Sequence, residues 1–116
     1  MEEVGASGFM SCFSNLNNVT INFEKLDRIA AQAFSSAFYL SRNITVNFSN
    51  LKYEYLIESQ FTGIFANVSD GTIHFPANLE FVMKDWACFN QAVVGATNKI
   101  VFDLPNVEEF PIINIV

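Results

Sequence analysis

Basic residues are scarce in this chain of 116 residues. The chain contains six Lys and Arg and twelve Asp and Glu, which gives a formal net charge of -6 at pH 7. Phosphate backbones and anionic bilayers are bound largely through positive charge, so nucleic acid is not an expected partner. The first residues, Met1 to Gly5, are acidic where a signal peptide is basic. No apolar run approaches the roughly 18 residues that span a bilayer, so membrane insertion is not expected.

Cysteine and histidine are also rare. The two cysteines, Cys12 and Cys88, are too few to staple a secreted miniprotein and are not spaced as a CxxC pair, so we predict two small, buried, free thiols. The single histidine, His74, has no second His or Cys pair with which to complete a metal site. Phosphate-loop and nucleophile motifs are missing as well. We therefore expect neither an enzyme nor a cofactor.

Apolar residues are abundant. Hydrophobic residues make up 51% of the chain and charged residues 16%, and there are thirteen Phe. Such a chain buries a core rather than remaining disordered, and its length fits one domain over residues 1–116.

An internal repeat organises the chain. The segment from Val19 to Phe23 returns as Ile44 to Phe48, an offset of 25 residues. A third copy follows at an offset of 27 around Thr72, and a fourth at 28 to 29 around Val101. Periods of this length are typical of proteins built from stacked repeats.

Two periodicities alternate within each repeat. Apolar residues at every second position predict a strand, with Val19, Ile21 and Phe23 facing inward in the first copy. Between strands, Leu26, Ile29, Ala33 and Phe34 have the spacing of one helical face. The sequence therefore predicts an α/β fold of about four stacked strand-plus-helix repeats, with the strands in one parallel sheet.

These residues resemble a known family, the BspA-type leucine-rich repeats. Leu26, Ile29, Ala33 and Phe34, followed by Ile44-Thr45-Val46, are similar to the family's pattern in the second unit, and the other units match it in part. The resemblance implies a leucine-rich-repeat solenoid that binds proteins or carbohydrates without catalysis. It also implies a cell-surface, extracellular or virion location, although the chain shows no signal peptide.

The outward face of the strands is the expected ligand-binding surface. Polar residues recur there at matching positions: Thr20, Asn22, Thr45, Asn47, Thr72, His74 and Asp103. Solvated residues, or hydrogen bonds between neighbouring strands, would explain the same pattern.

The alternative function is a structural subunit of a larger assembly, such as a virus particle or surface lattice. Neither end of the chain has the polar character of a capping repeat, which leaves three explanations: continuation into a longer array, stacking on other chains, or a C-terminal apolar strand that folds back as a cap. Two tyrosines in a charged segment and the apolar C-terminal segment supply the predicted interface residues: Tyr53, Tyr55, Phe110, Ile112, Ile113 and Ile115.

Overall fold

A computed structural model describes residues 3–5, 8–26, 28–52, 59–76, 80–81, 89, 91–104 and 106–107. The strands in these ranges are β1 (Glu3–Val4), β2 (Asn17–Phe23), β3 (Arg28–Ile29), β4 (Arg42–Phe48), β5 (Ser69–His74), β6 (Glu80–Phe81), β7 (Thr97–Asp103) and β8 (Asn106–Val107). Strands β2, β4, β5 and β7 form a four-stranded sheet in that order. Strands β1 and β3 form a second sheet, and β6 and β8 form a third. Every pairing is parallel.

The register of the four-stranded sheet confirms the sequence repeat. Ile21 pairs with Val46, Val46 with Ile73, and Ile73 with Phe102. The offset changes by one residue between Ser69 and Gly71, where the pairing of β5 with β7 is irregular. Each strand therefore lies one repeat away from its neighbour, and equivalent residues form straight rows across the sheet.

The predicted parity is confirmed in β2, β4 and β5. In β4 the inward residues Ile44, Val46 and Phe48 are at most 1% exposed, whereas Thr45 and Asn47 between them are partly exposed. β-branched and aromatic residues fit a pleated surface that is buried on one side, which explains why these segments form strands.

The segment between β2 and β4 differs from the helix that its spacing predicts. Arg28–Ile29 is strand and residues 31–40 are consecutive turns, so Leu26, Ile29, Ala33 and Phe34 do not lie on an α-helix. Backbone hydrogen bonds close three turns in succession, from Ala33 to Ala30, from Ala37 to Phe34 and from Ser41 to Phe38. The third residue of each turn has a positive φ, namely Gln32, Ser36 and Leu40. This combination is typical of type II turns.

Tandem turns explain why the sequence pattern was mistaken for a helix. Each turn advances the chain by four residues, and Ala33-Phe34 and Ala37-Phe38 are the fully buried pairs. Apolar residues that recur every four positions resemble the 3.6-residue period of a helix over so short a segment.

The core lies between the inward face of the sheet and the turns, and is built from rows of stacked Phe rings. Phe9 stacks on Phe34 with ring centroids 5.2 Å apart, and Phe61 stacks on Phe89 at 5.3 Å. Further stacked pairs run across the repeats: Phe13 with Phe38, Phe23 with Phe48, and Phe48 with Phe75. Aromatic pairs at such distances stabilise a fold beyond their buried area.

The prediction of a buried thiol is wrong for Cys12, which is free and exposed. Its counterparts in the later repeats, Ala37, Ile64 and Ala92, are fully buried. The difference follows from position, because Cys12 belongs to the first repeat and each of the others has a repeat before it. Cys88 lies outside the described residues.

Candidate binding face

The outward face of the four-stranded sheet brings the predicted ligand-binding residues together in two rows. Thr20, Thr45 and Thr72 pair in register in the first row, which continues to Val101. The second row runs in strand order through Asn22, Asn47, His74 and Asp103. Neighbouring residues in a row are about 4.8 Å apart, the spacing of strands in a sheet.

Hydrogen bonds connect members of the second row. Asn47 Nδ2 donates to Asn22 Oδ1 at 2.6 Å. His74 Nδ1 lies 2.7 Å from Asp103 Oδ2, and the two side chains are 47% and 50% exposed. These bonds fix the orientation of the amides, the imidazole and the carboxylate, while much of their surface stays open to solvent.

A third polar row, at the start of the strands, was not predicted. It consists of Asn18, Asn43, Asp70 and Asn98, all with φ between 53° and 64°. Asn43 Nδ2 donates to Asn18 Oδ1 at 2.7 Å, and Asn98 Nδ2 donates to Asp70 Oδ2 at 3.4 Å. Asn and Asp tolerate the left-handed region better than other residues with a side chain. Their recurrence at one position in all four repeats was the signal that could have revealed this row.

The chemistry of the face is that of hydrogen bonding. Hydroxyls and amides both donate and accept, and Asp103 adds a carboxylate that accepts. Among the described residues, no three or more His, Cys, Asp or Glu converge on a point where a metal ion could bind. The arrangement suits a ligand that presents polar groups at regular intervals.

The predicted interface residues Tyr53, Tyr55, Phe110, Ile112, Ile113 and Ile115 lie outside the described residues. Large apolar side chains are exposed elsewhere, on the turns, and were not predicted: Met10, Tyr39, Leu40 and Val94. Tyr39, Ala66 and Val94 occupy equivalent positions of successive repeats, as the backbone bonds from Asn15 to Tyr39 and from Asn67 to Val94 indicate.

The first repeat leaves a further surface uncovered, which we call the end face. It consists of the apolar residues Phe9, Phe13, Leu16, Val19, Ile21 and Phe23, all partly exposed. Their apolar counterparts in the second repeat, Phe34, Phe38, Ile44, Val46 and Phe48, are at most 1% exposed. The same kind of side chain is thus buried within the stack and open at its edge.

Comparisons of the chain with protein-family models, with curated proteins and with solved structures give no match. Within the described ranges, no helix has the length and apolar character needed to cross a membrane.

Proposed function

We propose that the chain is a leucine-rich-repeat-like solenoid of about four repeats that acts as a non-enzymatic recognition module. Its partner is a protein or a carbohydrate, bound on the outward face of the parallel strands. A cell-surface, extracellular or virion setting suits this role. The parallel sheet supports the architecture, although the described parts of its linking segments contain turns where the resemblance implies helices.

The alignment of polar side chains in register is the observation that carries the proposal. Thr20, Thr45 and Thr72 form one row, and the row from Asn22 to Asp103 runs beside it. An extended peptide or a glycan chain also presents hydrogen-bonding groups at regular intervals. An array of side chains held in register by the backbone loses little entropy when such a partner binds.

Glycan and peptide arrays probed with the purified chain provide the test. Ligands bound by the wild type are then tested with Asn47→Arg, which places a bulky charge in the middle of the outward face. Ala31→Arg adds the same charge at an exposed turn position and serves as the control. We expect binding to fall at least tenfold for Asn47→Arg and to stay unchanged for Ala31→Arg. Equal binding by both variants would exclude the outward face as the site.

A structural subunit of a larger assembly is the second candidate, and the end face favours it. Six partly exposed apolar residues lie beside the outer edge of β2, which pairs with no other strand of the described residues, and form a surface on which another chain can associate. Size-exclusion chromatography with light scattering separates the candidates. A monomer that binds a ligand supports recognition, and an oligomer with no ligand supports assembly.

A further inference from the structure

The backbone hydrogen bonds between repeats run in one direction through the turns. Phe13 N donates to Ala37 O at 2.8 Å, and Asn15 N donates to Tyr39 O at 2.9 Å. At the other end of the stack, Phe65 N donates to Ala92 O at 2.9 Å. In each case the earlier repeat donates and the later repeat accepts. The stacked turns, which we call the turn layer, therefore have, among the described residues, unused acceptors on the first-repeat side and unused donors on the fourth-repeat side.

The direction of these bonds determines which backbone groups, carbonyl or N–H, are exposed at each end of the stack. Cys12 and Ser14 are the first-repeat counterparts of Ala37 and Tyr39, so their carbonyl groups face outward at the end face, and no described residue donates to them. Val93 and Gly95 are the fourth-repeat counterparts of Phe65 and Asn67. Their N–H groups point away from the third repeat and find no acceptor in the described part of the chain.

Two end faces brought together would place carbonyl groups opposite carbonyl groups. An end face brought against a fourth repeat would place the carbonyls of Cys12 and Ser14 opposite the N–H groups of Val93 and Gly95. Unpaired backbone groups are costly to bury, so the second arrangement is strongly favoured.

Apolar side chains match in the same arrangement. The fourth repeat presents Val93 and Ile100, which are partly exposed like the residues of the end face. In a continued stack, Val93 would contact Phe13 and Ile100 would lie beside Val19, as their counterparts do between consecutive repeats.

We infer that the end face of one chain binds the fourth repeat of a second copy, head to tail, with the parallel sheet and the turn layer continuing across the junction. Head-to-tail contacts of this kind leave one free binding surface at each end of the oligomer, so they generate linear oligomers. The inference rests on the second proposed function, a structural subunit of a larger assembly, and does not involve the outward face. Ligand binding by the outward face and association through the end face can therefore be tested independently.

Disulfide trapping tests the arrangement. Both native cysteines are replaced by Ser, and Ser14→Cys is introduced in one preparation and Val94→Cys in another. Ser14 and Val94 hold equivalent turn positions, so head-to-tail stacking places their Cα atoms about 4.8 Å apart, within the range that a disulfide spans.

We expect mild oxidation of the mixture to link Ser14→Cys to Val94→Cys. Neither preparation should form dimers alone, and an Ala31→Cys preparation on the side of the stack should remain unlinked. A dimer of Ser14→Cys with itself would contradict the head-to-tail direction. Failure of the mixture to link above the Ala31→Cys background would overturn the proposal.

Light scattering gives a second, independent readout. Cys12→Arg places a charge on an exposed side chain at the end face, so it should reduce the wild-type oligomer to a monomer that still unfolds cooperatively. Ala31→Arg should leave the oligomer intact. A wild-type chain that stays monomeric at the highest soluble concentration, or equal masses for the two Arg variants, would contradict the inference.

Discussion

Gly71 lies directly beneath the ring of Phe65. A Cβ atom on Gly71 would approach Phe65 Cε2 to 2.8 Å, closer than van der Waals contact permits. At the positions paired with Gly71, β4 carries Ile44 and β7 carries Ile100. In the third repeat, the ring of Phe65 from the turn layer therefore occupies the space that a strand side chain occupies in the neighbouring repeats.

Replacing Gly71 with Ala should therefore destabilise the fold. Phe65 is fully buried and its ring contacts Phe38 and Phe102, so overpacking should cost about 1–3 kcal/mol in the free energy of unfolding. Chemical denaturation of Gly71→Ala measures this cost. In a Phe65→Leu background the same change should cost at least about 0.5 kcal/mol less, because contacting residues are energetically coupled. An equal cost in both backgrounds would show that the ring is not the obstacle.

The parity of β4 predicts opposite outcomes for adjacent substitutions. Val46 is 0% exposed, so Val46→Asp buries a charge without a partner and should abolish cooperative thermal unfolding. Asn47→Asp lies on the outward side and removes one hydrogen bond to Asn22, so we expect a change of less than about 1 kcal/mol. Similar melting curves for the two variants would contradict the assigned parity.

Leu40 holds an unfavourable backbone position. Its φ is 61° and its side chain is 55% exposed, whereas the equivalent turn positions carry Asn15, Asn67 and Gly95. Leu40→Asn should stabilise the chain by about 1 kcal/mol, because Asn adopts the left-handed region at lower cost. Thermal melting checks this prediction. Leu40→Ala removes the exposed side chain but keeps the strain, so an equal gain for both variants would rule out the backbone explanation.

The stacked arrangement also makes a prediction about the thiols. Repeats one and four are separated by two others, so a disulfide between Cys12 and Cys88 is expected to be geometrically impossible. In dilute solution, where the chain is monomeric, alkylation should modify Cys12 readily because it is exposed. Alkylation after unfolding without reductant should then label both cysteines. A bridged peptide in the mass spectrum would contradict the linear order of the repeats.

The sequence was sufficient to predict the four long strands β2, β4, β5 and β7 and their register, but not the two-residue strands such as β3, which lies in the segment predicted as a helix. Each strand is a short alternating segment such as Val19 to Phe23, and its recurrence at a fixed offset places equivalent residues side by side. The outward rows followed from the same offsets. Helix and tandem turn could not be distinguished, because Ala33, Phe34, Ala37 and Phe38 fit both periods over ten residues. Positive φ at Ser36 and Leu40 carries no sequence signal, since neither residue type favours it.

The exposure of Cys12 and the end face escaped prediction for a different reason. Burial of an apolar side chain in a stacked repeat depends on the repeat before it as well as on its own pattern. Phe9 and Phe34 are the same residue type at the same position of the repeat, yet only Phe34 is fully buried.

Scalar couplings across hydrogen bonds, measured by NMR, test the central claim most directly, because both the binding face and the end face depend on repeats joined through tandem turns. The account predicts correlations from the Phe13 amide to the Ala37 carbonyl and from the Phe65 amide to the Ala92 carbonyl, the partners in the structure. Correlations from these amides to carbonyls four residues earlier in the same segment, as in an α-helix, would contradict it.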